Sequence, residues 1–336
     1  MITLDDIKQA RETIGPYVKR TPLERSETLS RRLGTNVYIK YELFQKTGSF
    51  KPRGAFNTIL SLTDDQKQKG VVAVSGGNHA QGVAYAATTL GIESLILMPA
   101  NTPQNYLDAA RGYGATIELL PNIADAFSAV EQHVANGKTF VHPFDDERVI
   151  AGQGTVGLEV LEDCPQVTDV FASIGGGGLA AGVALAIKNS PPYEGGVAAA
   201  SADGVALSSR RKVYGVETAG ADAMAQALAA GHVVELPAIT SIAKTLGAPA
   251  VTERTLKLVQ DYLESVTVVT DDEAIRELKY IAERLKVICE PASSCNLAAA
   301  EKLKQKFTPD SHVVIILCGG NFSLDTLAAY ESSSPS

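Results

Sequence analysis

Short runs of β-branched and apolar residues alternate along the chain with polar-apolar stretches of helical length. Val37–Lys40, Val71–Ser75, Ser94–Met98, Thr116–Leu119, Phe140–His142, Asp169–Ile174, Val213–Glu217 and Val313–Cys318 are predicted as buried strands. Ala80–Leu90, Pro103–Tyr113, Asn122–Ala135 and Leu179–Lys188 are predicted as helices between them. A further helix, Leu4–Ile14, opens the chain behind Thr3 as N-cap, with Asp5 and Asp6 in its first turn. Strand and helix repeated in this way give an α/β fold of mostly parallel, twisted, open sheets with helices on both faces. The segment 189–212 is rich in Ala, Gly, Ser and Pro without a sustained period and reads as a loop, and the tail Glu331–Ser336 as frayed.

Composition narrows the function classes. The 336 residues are 45% hydrophobic and 20% charged, which suits a packed core and about two domains. A net charge of −8 argues against a nucleic-acid or anionic-membrane binder, whose affinity comes from phosphate neutralisation. The uncharged stretch 170–187 contains four consecutive glycines, a turn rather than a membrane span. Charges in the first thirty residues break up any secretory apolar segment. Four cysteines without a CxxC pair suggest neither a disulfide framework nor a zinc site, so a reduced cytoplasmic setting is expected.

In sheets of this kind ligands sit beyond the carboxyl ends of strands, and three such places carry chemistry. Gly175-Gly176-Gly177-Gly178 follows a predicted strand and leads into a helix at Leu179, so backbone amides can converge on a phosphate at the helix's positive end. The same stretch fits GxGxxA, with Glu217 ending the next strand, which leaves a nicotinamide-binding reading open. Ser49-Phe50-Lys51-Pro52-Arg53-Gly54 places Lys51 at a helix start, where an ammonium is disfavoured and a nucleophilic amine with a lowered pKa is expected. Ser75-Gly76-Gly77-Asn78-His79 makes a second strand-to-helix anion site, suited to a substrate carboxylate, with Asn78 able to donate a hydrogen bond. Two anion sites and an amine fit a phosphate-bearing aldehyde together with an amino acid.

Taken in order, Ser49–Gly54, SGGNH at 75–79, the tetraglycine at 175–178 and CGGN at 318–321 resemble the fold-type II, tryptophan synthase β-like, pyridoxal-phosphate enzymes. The match is to their serine/threonine dehydratase and serine racemase group and spans nearly the whole chain. The resemblance implies that Lys51 holds pyridoxal 5′-phosphate as a Schiff base and then removes the Cα proton. It also implies that Phe50 lies against the ring, Asn78 bonds its phenolic oxygen, and amides of Gly175, Gly176, Gly177, Gly178 and Leu179 bind the phosphate. Cys318 would face the pyridine nitrogen as a neutral thiol, which makes the ring a weaker electron sink and suits β-elimination. Two domains are implied, a large one of residues 1–63 and 147–336 and a small one of 64–146 inserted within it, with a homodimer as the assembly.

Departures from the group sharpen the expectation. Gly76 stands where the racemases have a serine acting on the face opposite the lysine, and HPFDD at 142–146 resembles the threonine dehydratases. The expected reaction is therefore dehydration and deamination of small β-hydroxy amino acids, threonine or serine, to a 2-oxo acid and ammonia. Amino-acid racemisation, or a dehydratase of 3-hydroxyaspartate or phenylserine, is the alternative. Some members bind a divalent cation such as Mg2+ or Ca2+. Glu217 and Ala221 match that pattern, but Ala223 stands at the third ligand position, with Asp222 one place early.

Overall fold

The computed structural model describes residues 2–191 and 211–333. Most of the 189–212 loop expected from the sequence, and residues 334–336 of the tail, lie outside them. Ten strands occur among the described residues. In chain order they are β1 (Leu23–Arg25), β2 (Asn36–Lys40), β3 (Val71–Val74), β4 (Ser94–Pro99), β5 (Thr116–Leu120), β6 (Thr139–Phe140), β7 (Asp169–Ser173), β8 (Lys212–Thr218), β9 (Ser265–Val269) and β10 (His312–Ile316). They form a six-stranded sheet, β1-β2-β10-β7-β8-β9, and a four-stranded sheet, β5-β4-β3-β6. All pairings are parallel except β1 with β2.

The apolar runs read as strands are strands, displaced by one or two residues at their ends. β1 and β9 were not expected, and both are edges. β1 is three residues long with two exposed, and β9 is only half-buried, so neither carries the continuous apolar run of a strand covered on both faces. The helix Leu4–Ile14 forms as expected, closed by a reciprocal Thr3–Asp6 capping box. The helix Leu324–Ser333 extends into the tail expected to fray.

Helix packing delivers the lysine segment to the space between the sheets. The helix Pro52–Leu60 crosses the helix Glu147–Asp163 at Gly54 and Gly152. A Cβ on Gly152 would lie 2.5 Å from the Arg53 carbonyl oxygen and 2.7 Å from Gly54 Cα, so only glycine permits this approach. Beneath the crossing lies a buried charge network. The Arg53 guanidinium makes paired hydrogen bonds of 2.8 Å to Glu42 and reaches Glu159 at 2.7 Å, and Lys40 Nζ lies 2.6 Å from Glu159. Two cations face two carboxylates with every residue 5% exposed or less, a combination that holds only while each charge keeps its partner.

Candidate active site

The segment before Lys51 is pinned to the strand end that carries Cys318. Phe50 N–H donates to the Cys318 carbonyl at 3.0 Å, Ser49 bridges Gly319, and Gly320 N–H donates to the Gly48 carbonyl at 2.9 Å. Glu290 N–H in turn donates to the Gly319 carbonyl at 3.1 Å. Lys51 Nζ donates to the Pro143 carbonyl at 2.8 Å and lies 5.2 Å from the centre of the Phe50 ring. Part of its side chain is exposed while neighbours crowd the amine, and this burial lowers its pKa to about 8 against the raising effect of Cys318 and Glu290. The expected direction is right, but desolvation is the main cause rather than the helix start.

Asn78 begins the helix Asn78–Thr89 and is 4% exposed. Its Nδ2 donates to both oxygens of Glu290, at 2.9 and 3.1 Å. Glu290 is a residue the motifs did not single out. Burial raises its carboxyl to about 7, opposed by hydrogen bonds from Asn78 and Thr245 and by the Lys51 charge. One signal was available: Glu290 is the only charged residue between Lys286 and Glu301, and an ionisable group alone in such a run is buried with a purpose. Cys318 Sγ lies 3.3 Å from Ser293 Oγ and 3.7 Å from Ser173 Oγ, and burial pushes its thiol up to about 12. It is neutral at any working pH.

The tetraglycine forms the turn between β7 and the helix Gly178–Asn189, with Gly177 at φ +97° and no side chain capping the helix start. Its surroundings explain the lack of side chains. A Cβ on Gly176 would sit 2.1 Å from the Phe144 ring, one on Gly178 2.9 Å from the Phe144 carbonyl oxygen, and one on Gly175 3.3 Å from Leu246. Phe144 follows Pro143, so a single segment touches both the lysine amine and the glycine turn. His142 orders that segment, its Nδ1 accepting from Asp145 N–H at 2.7 Å and its ring packed edge-on against Phe144.

The remaining predicted residues fall into two groups. Ser75, Gly76 and Gly77 line the turn after β3, where Gly77 N–H donates to Ser75 Oγ at 3.1 Å. A Cβ on Gly76 would lie 2.8 Å from Thr102 Oγ1. His79 is 3% exposed, with Nε2 2.8 Å from the Val141 carbonyl, and burial with the nearby Lys51 charge lowers its pKa to about 3. Glu217 lies next to the last residue of β8. It is fully buried, and its two oxygens accept from Met224 N–H at 2.9 Å and Ala225 N–H at 2.8 Å, closing the start of the helix Ala223–Ala230. That placement argues against the ribose role considered in the nicotinamide reading, since the carboxylate is fully buried and turned to backbone amides.

Residues 14–319 match the family model described as "Pyridoxal-phosphate dependent enzyme". The chain belongs to that family. This pyridoxal-phosphate enzyme is 37% identical to the L-threonine ammonia-lyase of Thermotoga maritima over 329 residues, 97% of this chain and 77% of the relative. Its fold matches that of maize serine racemase with a TM-score of 0.88 at 35% identity, covering 98% and 97% of the two chains. It matches the processed form of threonine deaminase isoform 2 from Solanum lycopersicum with a TM-score of 0.85 at 33% identity, covering 98% and 93%. The site fits the family's cofactor. It offers a glycine turn closed to side chains at an uncapped helix start for the phosphate, an amine with a lowered pKa for the aldehyde, and a neutral thiol beside a buried carboxyl and amide for the ring. The same test fails for a divalent cation at Glu217. Its oxygens are hydrogen-bonded, Ala223 offers no oxygen side chain, and no cluster of three His, Cys, Asp or Glu occurs among the described residues.

Proposed function

We propose that the enzyme dehydrates and deaminates small β-hydroxy amino acids, L-threonine and L-serine, releasing a 2-oxo acid and ammonia. Lys51 Nζ removes the Cα proton, and the turn Ser75–Asn78 receives the substrate carboxylate on its amides, with His79 neutral behind it. Asn78 would donate to the phenolic oxygen of the cofactor, Phe50 and Cys318 would flank its ring, and amides of Gly175 to Leu179 would hold its phosphate. Bound there, pyridoxal phosphate supplies the electron sink for the carbanion left at Cα. Residues 64–146 act as a small inserted unit that closes on the cleft and excludes water. We assign no step to a metal ion. A homodimer in the cytoplasm is the expected assembly and setting, with light scattering as the check on the first.

The observation that favours elimination over racemisation is position 76. Inverting Cα requires a proton donor on each face, whereas elimination requires one base and a leaving group. Gly76 carries no side chain to supply the second donor. The same-fold likeness to a serine racemase makes racemisation the second reading. Purified protein with pyridoxal phosphate and L-threonine should release 2-oxo acid and ammonia in equal amounts, and Lys51→Ala should release none. Inversion of serine faster than keto-acid release would replace this reading with racemisation.

A further inference from the structure

Resting on the cofactor reading above, we propose that Asn321 is a positioning residue that fixes which end of the Asn78 amide faces the ring site. Asn321 Nδ2 donates to the Thr47 carbonyl at 2.7 Å and to Asn78 Oδ1 at 2.8 Å. A backbone carbonyl only accepts, so the Asn321 atom that faces Thr47 is its nitrogen, and the second N–H of that nitrogen meets the Asn78 oxygen. Asn78 must then point its own NH2 the other way, where the Glu290 carboxyl accepts from it. The chain runs in one direction whichever end it is followed from. Turning Asn78 over would set its oxygen against the Glu290 carboxyl and its NH2 against the NH2 of Asn321, with Asn78 and Glu290 buried and Asn321 half-buried. The Asn78 NH2, which reaches both Glu290 oxygens, is thereby fixed in direction.

Asn321 also gathers the other parts of the site. Thr47, whose carbonyl it holds, is one of two non-glycine residues with positive φ among the described residues, at +61°, and begins the turn into Ser49–Lys51. The Asn321 carbonyl accepts from the hydroxyl of Tyr106, on the helix Gln104–Gly112 between β4 and β5. Asn321 thus meets the lysine turn, the ring-site amide and the small-sheet unit at once. In the sequence Asn321 shows only as the last letter of CGGN.

The test uses cofactor-free and cofactor-loaded protein. In cofactor-free protein labelled with 15N-asparagine, the side-chain amide pair lost in Asn78→Ala is assigned to Asn78. Those resonances should shift in Asn321→Asp, which keeps the shape but loses both N–H donors, and an unmoved pair overturns the proposal. If Asn321→Asp does not fold, Asn321→Ala, which removes the same donors without adding a charge, is read in the same way, with the same two outcomes. In loaded enzyme, Asn321→Asp should lower kcat about tenfold with KM within about twofold, and should shift the cofactor absorption band. The double variant with Asn78→Ala should be no slower than Asn78→Ala alone, because the effect passes through Asn78. Losses that multiply overturn the proposal. A colourless unmodified protein refutes the cofactor reading instead, and the cofactor-free spectra still decide the role of Asn321.

Discussion

The lowered pKa of Lys51 has a measurable consequence for how readily the protein takes up its cofactor. Only the neutral amine attacks an aldehyde, so the rate of covalent uptake follows the neutral fraction. A drop from the usual 10.5 to about 8 raises that fraction at pH 7 from about 0.03% to about 9%, roughly 300-fold. Uptake of pyridoxal phosphate by cofactor-free protein, followed by absorbance and trapped with borohydride, should rise about tenfold per pH unit from pH 6 and level off near pH 8. The plateau is the informative part, because a solvent-exposed lysine would keep accelerating beyond pH 10. The cause can be tested as well. Glu290 raises the pKa of Lys51, so Glu290→Gln removes a facing negative charge and should move the plateau to lower pH. A rate still climbing tenfold per unit above pH 9.5 would refute the claim that burial sets this amine's reactivity.

Three other outcomes are expected. Arg53→Ala leaves Glu42 and Glu159 buried without their common partner and should destabilise the fold by about 3–5 kcal/mol in denaturant unfolding, with a change under about 1 kcal/mol counting against the network. His79 has a folded pKa of about 3, below its unfolded value of 6.5, so the folded state binds fewer protons. Its contribution is therefore present above pH 6.5 and is lost as pH falls toward 3, with a limiting slope of about 1.4 kcal/mol per pH unit that His79→Gln should remove. Dialysis against a chelator should leave kcat unchanged, because Glu217 accepts from Met224 and Ala225, and Ala223 supplies no side-chain oxygen; a loss restored by Mg2+ would show that those hydrogen bonds give way to a cation.

Features whose signals are local were legible in the residues alone. The alternation of apolar runs and helical stretches set the parallel α/β architecture, since a strand covered on both faces must be apolar throughout. The Thr3 cap, the lysine at a helix start and the four glycines at a strand end were readable because backbone geometry and helix termini depend on neighbours in the chain. Pairings across long separations came only with the folded arrangement. Glu290 is 212 residues from Asn78, and Asn321 lies 274 residues from Thr47, so their hydrogen bonds follow from how strand ends converge and not from any spacing. Glu217 shows the same limit in reverse: its position suggested a ligand for ribose or metal, but the fold gave both of its oxygens to a helix start. Burial, which sets the pKa values of Lys51, His79, Glu290 and Cys318, is likewise a property of the assembled site, because desolvation depends on every atom that excludes water from it.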